Sequence, residues 1–123
     1  IEGLSILLVE DNELNMEIAK FIIENEGAKV TCATNGKEAV DIYKNSPESF
    51  DIILMDIMMP EMDGYEATRM IREMDLNIPI VAMTANAFME DKMKAKKAGM
   101  NAHVSKPLDK DKLIRVIAKL CNK

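Results

Sequence analysis

Strand-like and helix-like segments alternate five times along the chain, and this alternation constrains the fold more than any other feature. Three short runs, Ile6–Val9, Ile52–Met55 and Ile80–Met83, are continuously apolar, as the central strands of a parallel sheet are. Two further strand-like runs, Val30–Ala33 and Ala102–Ser105, are more polar and are expected at the sheet edges. Alternating strands and helices predict right-handed crossovers and a parallel sheet with helices on both faces.

The strand order 2-1-3-4-5 satisfies this distribution of apolar and polar strands. It predicts a flavodoxin-like, doubly wound α/β fold with a five-stranded parallel sheet and five helices, formed by one domain over residues 1–123. The predicted strands are Ser5–Val9, Val30–Ala33, Asp51–Met55, Ile80–Met83 and Ala102–Ser105. In such sheets, ligands bind at the carboxyl ends of the strands, beside the switch point between strands one and three.

The helices are predicted from apolar side chains at spacings of three and four. The first helix has an apolar face of Leu14, Ile18, Phe21 and Ile22, and the second is predicted to bury Ala39, Ile42 and Tyr43. The third begins near Gly64 and carries Tyr65, Ala67, Thr68 and Ile71. The fourth spans about Ala87 to Ala98, and the fifth has a stripe of Leu113, Val116, Ile117 and Leu120.

Composition narrows the class of function. The formal net charge of -5 argues against nucleic acid as a direct ligand. No apolar run approaches the roughly 18 residues that a membrane helix needs, so we expect no membrane contact by this domain. The first residues lack the pattern of a signal peptide, which favours a cytoplasmic location. Because there is no initiator Met, we expect the chain to be a piece of a longer protein. A membrane anchor elsewhere in that parent protein is compatible with this expectation.

Polar residues follow the predicted strands at the edge where ligands are expected. Glu10 and Asp11 follow the first strand, Asp56 the third, Thr84 the fourth and Lys106 the fifth. Two carboxylates about 4 Å apart repel each other by roughly 4 kcal/mol at an effective dielectric constant of about 20. The sequence therefore predicts a cation at this edge, either the Lys106 ammonium or a hard divalent ion.

Oxygen ligands of this kind suit Mg²⁺, with Mn²⁺ as an alternative. Asp11 and Asp56 fit as direct ligands, Glu10 fits through a water, and a carbonyl of the loop Met58–Pro60 would complete the shell. Asp56 ends the central strand at the switch point and is the candidate nucleophile toward phosphorus, giving an acyl phosphate. The metal and Lys106 would neutralise charge on the phosphoryl oxygens, and Thr84 would hydrogen-bond the bound group.

Five stretches together resemble the receiver domain of two-component response regulators, over the whole chain. They are Leu7–Asn12, Leu54–Pro60, Met62–Gly64, Met83–Ala85 and Ser105–Leu108. The resemblance implies that Asp56 is the phosphoacceptor, that Glu10 and Asp11 are the acidic metal pair, and that the Met58 carbonyl is a metal ligand. It also implies that Thr84 is the switch hydroxyl, that Lys106 pairs with the phosphoryl group, and that the Lys106–Pro107 bond is cis.

The residues of three segments are similar to those of receivers attached to hybrid histidine kinases: Val9–Asn15, Met83–Phe88 and Gly99–Leu108. The implied partner is a histidine kinase or a histidine phosphotransfer domain. Such a domain catalyses its own phosphorylation and slow dephosphorylation, and acts as a monomer or as a weak dimer through helix four, strand five and helix five. One position departs from the family: His103 stands where a Tyr or Phe usually acts as the switch aromatic.

Three other functions share parts of this pattern. A metal-dependent phosphatase with an Asp nucleophile typically carries a second Asp two residues later, where this chain has Met58. A flavin module would need a hydroxyl-rich phosphate loop after strand one, and the loop here is acidic. A degenerate receiver that only binds a partner would lack some of the site residues, all of which are present.

Overall fold

The computed structural model describes residues 1–59, 62–85 and 89–121, with side chains from residue 92 onward in the last range. In this part of the chain, five parallel strands form one sheet in the predicted order 2-1-3-4-5. The strands are Ser5–Val9 (β1), Lys29–Ala33 (β2), Ile52–Asp56 (β3), Ile80–Thr84 (β4) and Ala102–Ser105 (β5). The helices are Glu13–Asn25 (α1), Gly36–Asn45 (α2), Gly64–Met74 (α3), Met89–Ala98 (α4) and Lys110–Cys121 (α5), and a short 3₁₀ turn spans Pro47–Ser49.

The central strands are buried on both faces because side chains that alternate along them enter two separate cores. Leu7 and Ile53 belong to the core that α2 and α3 cover, whereas Leu8 and Leu54 belong to the core that α1 and α5 cover. Every residue of β3 and β4 is buried, while β2 and β5 keep exposed or half-buried residues. The prediction of apolar central strands and more polar edge strands is confirmed.

The prediction for α1 was wrong about which face packs against the sheet. The expected apolar face was Leu14, Ile18, Phe21 and Ile22. In the structure Leu14 is 65%, Ile18 44% and Phe21 71% exposed, and Ala19 and Ile23 enter the core instead. Of the expected face, Ile22 packs against that core, where it is partly buried. The helix thus has two adjacent apolar stripes, and the sheet buries the one that contains the small Ala19, which lets the helix lie close to the strands.

Several boundaries differ by a residue or two from the prediction. Strands β3 and β4 extend to Asp56 and Thr84, so both site residues belong to the sheet itself. The predicted start of the fourth helix, Ala87, lies outside the described residues. The Lys106–Pro107 peptide bond is cis, as the resemblance implied. Among the described helices, none has the length and hydropathy needed to cross a membrane.

Candidate phosphoryl-acceptor and metal site

The carboxyl ends of four strands deliver the predicted side chains to one edge of the sheet. Glu10 directly follows β1, Asp56 and Thr84 are the last residues of β3 and β4, and Lys106 directly follows β5. The backbone N–H of Lys106 donates to the Thr84 carbonyl at 2.8 Å, which continues the pairing of β4 with β5. Parallel register therefore places residues that are far apart in sequence side by side.

A buried charge network forms at this edge. The Lys106 ammonium lies 2.8 Å from Glu10 Oε2 and 3.1 Å from Asp56 Oδ1. Glu10 and Asp56 are almost fully buried, at 2% and 3% exposure. Removing Lys106 would leave these two buried carboxylates without their cation, which is strongly destabilising. The sequence predicted Lys106 both as a candidate cation for the carboxylates and as a partner of the phosphoryl group, and the structure shows that it contacts two of the carboxylates.

Three carboxylates come together around that lysine. One oxygen each of Glu10, Asp11 and Asp56 lies within 4.8 Å of the others. Asp11 is exposed, so the cluster opens to solvent on its side. Three anionic groups against one ammonium leave an excess of negative charge, and the donors are all oxygen, the type that Mg²⁺ prefers. The donor set therefore fits a hard divalent cation.

The surroundings of Asp56 raise its pKa. Burial and the neighbouring Glu10 carboxylate raise the pKa of Asp56 from 3.8 to about 7, although Lys106 opposes the shift. Burial disfavours the Lys106 ammonium, but its hydrogen bonds to Glu10 and its proximity to Asp56 outweigh burial and raise the pKa of Lys106. Charges that perturb one another in a cleft are typical of functional sites.

Two asparagines at the start of α1 hold Glu10, and sequence reasoning did not assign them this role. Glu10 Oε1 accepts hydrogen bonds from the Asn12 backbone N–H at 3.3 Å and from Asn15 Nδ2 at 3.4 Å. Asn12 also caps α1, since its side chain accepts from the Asn15 N–H at 2.9 Å. The signal in the sequence was the Asn at the position before a helix, which favours a cap.

A glycine lets α3 begin beside the nucleophile candidate. A Cβ on Gly64 would collide with the Asp56 carbonyl oxygen and would lie 2.9 Å from the Ile57 Cα. The Gly64 N–H donates to the Ile57 carbonyl at 3.0 Å, and Asp63 caps the helix. The Asp63-Gly64 pair therefore sets the path of the chain after β3.

Three other predicted residues, Thr84, Met58 and His103, lie on or directly after the strands that form the site. Thr84 is buried at the end of β4. Met58 lies two residues after Asp56, and its side chain is 75% exposed, so its main chain is the part available to a site. His103 is half-buried on β5, and burial and the Lys92 charge lower its pKa.

A family model matches the sequence of this chain. Residues 6–118 match the model of the response regulator receiver domain, which is most of the chain.

The chain belongs to the response regulator receiver domain family. As a receiver domain, it is a component of two-component or phosphorelay signalling. The resemblance drawn from the strand-end motifs is confirmed.

Curated relatives include histidine kinases that are much longer than this receiver domain. It is 36% identical to "Probable histidine kinase 6" of Oryza sativa subsp. japonica, over 96% of this chain and 14% of that protein. It is also 41% identical to "Hybrid signal transduction histidine kinase I" of Dictyostelium discoideum, over 91% of this chain and 7% of that protein. The receiver domain thus spans about one seventh, or less, of the length of these relatives.

A solved structure with the same fold holds a metal in its cleft. The receiver domain of the sensor histidine kinase PA1611 from Pseudomonas aeruginosa PAO1, with a magnesium ion coordinated in the active site cleft, is 36% identical. The match covers 98% of this chain and 99% of that one, with a TM-score of 0.90.

A second structure shows a receiver bound to a partner. The receiver domain of Saccharomyces cerevisiae Ssk1, in a co-crystal with the histidine phosphotransfer protein Ypd1, is 30% identical to this chain. The match covers 97% of this chain and 89% of that one, with a TM-score of 0.89.

Proposed function

We propose that Asp56 accepts a phosphoryl group from a phosphohistidine and that residues 1–123 form the whole receiver unit. The observation that carries this proposal is the Lys106 ammonium 3.1 Å from Asp56 Oδ1, among three carboxylates at the carboxyl edge of the sheet. In the transfer, an Asp56 carboxylate oxygen forms a bond to phosphorus while the bond from phosphorus to the donor histidine nitrogen breaks. The leaving imidazole takes up a proton, and an acyl phosphate remains.

The side chains around Asp56 divide the work of this transfer. Lys106, which now bridges Glu10 and Asp56, supplies a cation for the equatorial oxygens of the phosphoryl group. Glu10 keeps the ammonium in place through its 2.8 Å contact. Thr84 ends the neighbouring strand, and we assign it the role of donating its hydroxyl hydrogen bond to the bound phosphoryl group. Asp56 reacts as the anion, so its charge must be stabilised until transfer occurs.

Glu10, Asp11 and Asp56, with the Met58 carbonyl, would hold Mg²⁺ at this edge. The raised pKa of Asp56 supports this assignment, because burial and the Glu10 carboxylate disfavour the Asp56 anion more than Lys106 favours it, and a bound cation would offset that. When bound, the ion offsets the negative charge of the carboxylates and of the phosphoryl oxygens.

A phosphatase with the same nucleophile is the second candidate, and Met58 argues against it. Enzymes of that type use a carboxyl two residues after the nucleophile as acid and base, and a thioether has no proton to exchange. We therefore expect a long-lived acyl phosphate with only slow hydrolysis.

The exposed stripe of α1 is proposed as the docking surface for the phosphodonor, a histidine phosphotransfer domain. Leu14, Ile18 and Phe21 recur at positions i, i+4 and i+7, so they lie on one side of the helix. Ile18 also lines a cleft of about 260 Å³ that Glu10 and Lys106 share. An apolar contact surface that runs into the site suits a protein that must bring its histidine to Asp56. The receiver of Ssk1, 30% identical, is bound to such a protein.

The parent protein is proposed to be a hybrid histidine kinase, by its likeness to much longer kinases. The proposed location of the receiver is the cytoplasm, where kinase domains have ATP. Of the two states expected from the sequence, monomer or weak dimer through α4, β5 and α5, we propose the monomer. That face carries exposed cations, including Lys92, Lys112 and Arg115, and two copies meeting there would repel each other.

Phosphorylation by a small donor tests the first proposal. The receiver is incubated with acetyl phosphate and Mg²⁺ and its intact mass is measured. We expect one acid-stable, base-labile phosphoryl adduct, which the variant Asp56→Asn and a chelator both abolish. The matched variant Asp41→Asn changes the same group on the exposed side of α2 and should keep the adduct. Retention of the adduct in Asp56→Asn would overturn the assignment.

A comparison of two donors tests the docking surface separately. Phe21→Ser should slow transfer from a phosphorylated histidine phosphotransfer protein, while phosphorylation by acetyl phosphate stays unchanged, because the small donor needs no docking. The control is Leu76→Ser, which removes an exposed apolar side chain (79% exposed) away from α1. Equal slowing with both donors would contradict a docking role for Phe21.

A further inference from the structure

The first residue of α2, Gly36, packs against the backbone of the loop that joins β3 to α3 (residues 57–63, the site loop). A Cβ built on Gly36 would collide with the Met62 carbonyl oxygen and would lie 3.0 Å from Met62 Cγ. The backbone of Gly36 does not have a positive φ, so the position requires the absence of a side chain and not an unusual conformation. Because the contact is with main-chain atoms of Met62, a change of rotamer cannot relieve it.

Two sets of contacts hold the described part of the site loop. At its start, the Ile57 N–H donates to the Met83 carbonyl of β4 at 3.2 Å. Further along, the side chains of Met59 and Met62 are partly buried against the core that α2 and α3 cover. Since the Met58 side chain is exposed, the position of the main chain at Met58 depends on these held neighbours.

The helix that presents Gly36 is held more firmly than the loop. Ala39 and Tyr43 of α2 are fully buried, and the Tyr43 hydroxyl donates to Asp75 Oδ2 at 2.6 Å. The start of α2 is also capped, because Asn35 Oδ1 accepts a hydrogen bond from the Glu38 N–H at 2.8 Å. The loop is held on this side by methionine side chains, which are flexible and adapt to shifts. An atom added at the start of α2 would therefore displace the loop and not the helix.

We propose that Gly36 is a positioning residue for the metal site. By letting α2 lie against Met62, it sets the path of the site loop and with it the position of the Met58 carbonyl beside Asp56. The inference rests on the proposed function, in which that carbonyl is a ligand of Mg²⁺. This ion demands near-ideal octahedral geometry, so even a small shift of one ligand weakens its binding. Gly36 acts through the loop and touches none of the reacting groups.

The variant Gly36→Ala tests the proposal by two measurements. The first is the Mg²⁺ dissociation constant of the unphosphorylated receiver, taken from amide shifts in NMR spectra; we expect binding roughly ten-fold weaker than in wild type, as for other changes behind a metal ligand. The second is the rate of phosphorylation by acetyl phosphate at increasing Mg²⁺ concentration. The half-saturating concentration should rise by the same factor, while the rate at saturating Mg²⁺ stays close to that of wild type. Damage to Asp56 or Lys106 would instead lower the saturated rate.

Two further variants separate displacement of the loop from general loosening of α2. Asn35→Ala removes the cap of the same helix without adding an atom toward Met62, so it should lower stability and leave the Mg²⁺ affinity within about two-fold. Met62→Ala keeps Gly36 but releases the loop from the core, so it should also weaken Mg²⁺ binding. Circular dichroism checks that each variant folds, and Met62→Ala carries the test if Gly36→Ala does not fold.

The outcomes distinguish this inference from the proposed function. Unchanged Mg²⁺ affinity in folded Gly36→Ala, unchanged affinity in Met62→Ala, equal weakening in Asn35→Ala, or a lower saturated rate in Gly36→Ala would overturn the positioning role while the function of Asp56 stands. Failure of the wild-type receiver to bind Mg²⁺ or to be phosphorylated would overturn the proposed function, and this inference with it.

Discussion

Replacing Asp56 by asparagine should make the receiver more stable, although the residue is central to the site. The structure raises the pKa of the Asp56 carboxyl from 3.8 to about 7, chiefly through burial and the Glu10 charge. A shift of that size corresponds to at most about 4 kcal/mol of destabilisation when the group is ionised. An amide removes the charge but loses the contact with Lys106, so we expect a gain of about 1–3 kcal/mol near pH 8 without divalent ions.

The raised pKa of Asp56 also predicts how the free energy of unfolding changes with pH. Between about pH 4 and 7 the native carboxyl binds more protons than the unfolded one, so the free energy of unfolding falls as pH rises through this window and levels off above it. Asp56→Asn should lack this part of the fall.

Urea unfolding with and without Mg²⁺ measures both effects. An ion that binds only the native state stabilises it, so Mg²⁺ should stabilise wild type more than Asp56→Asn. The exposed control Asp41→Asn should change the free energy of unfolding by less than about 0.5 kcal/mol. If Asp56→Asn is no more stable than wild type near pH 8 without Mg²⁺, burial and the Glu10 charge do not destabilise the ionised Asp56 carboxylate, and the reasoning fails.

Three further predictions concern residues around the site and the opposite end of the sheet. Lys106→Ala should slow phosphorylation by acetyl phosphate, whereas Thr84→Ala should keep phosphorylation and lose the amide-exchange response in α4, β5 and α5; equal, complete loss of phosphorylation in both would contradict their separate roles. A phosphoryl mimic should shift the NMR titration of His103 to lower pH, since an inward ring is deprotonated more readily, and identical titration curves would mean that the ring takes no part. Tyr43→Phe removes a 2.6 Å hydrogen bond to Asp75, which lowers the pKa of that carboxyl. We expect the free energy of unfolding to fall by about 1–2 kcal/mol at neutral pH, and by less below about pH 4, where Asp75 becomes protonated. Urea unfolding at both pH values measures the difference.

Much of the fold follows from local sequence. The runs around Leu7, Leu54 and Val81 are apolar without interruption, and such runs are typical of central parallel strands, which are buried on both faces. The pattern of α1 shows why spacing alone falls short: Ile18 and Ala19 both belong to apolar stripes, and only the shape of the sheet decides which stripe is buried. Burial depends on tertiary contacts that periodicity does not contain.

The sequence predicted which residues form the site, but not which of their side chains contact one another. Strand-end positions brought Asp56 and Lys106 to one edge, since parallel strands share their carboxyl ends. That Lys106 bridges to Glu10, and that Asn15 donates to Glu10, depends on side-chain geometry across 96 and 5 residues of sequence respectively. Net charge likewise concealed the exposed cations of α4 and α5, because a sum over the chain carries no information on position.

The most direct test of the account is to locate the phosphorylated residue chemically. The receiver is phosphorylated with acetyl phosphate and Mg²⁺, the acyl phosphate is reduced with borohydride, and peptides are sequenced by tandem mass spectrometry. Reduction converts a phosphorylated aspartate to homoserine, so the account predicts homoserine at position 56. Homoserine at position 11 with position 56 unmodified, or no reduced residue despite a phosphoryl adduct, would contradict it.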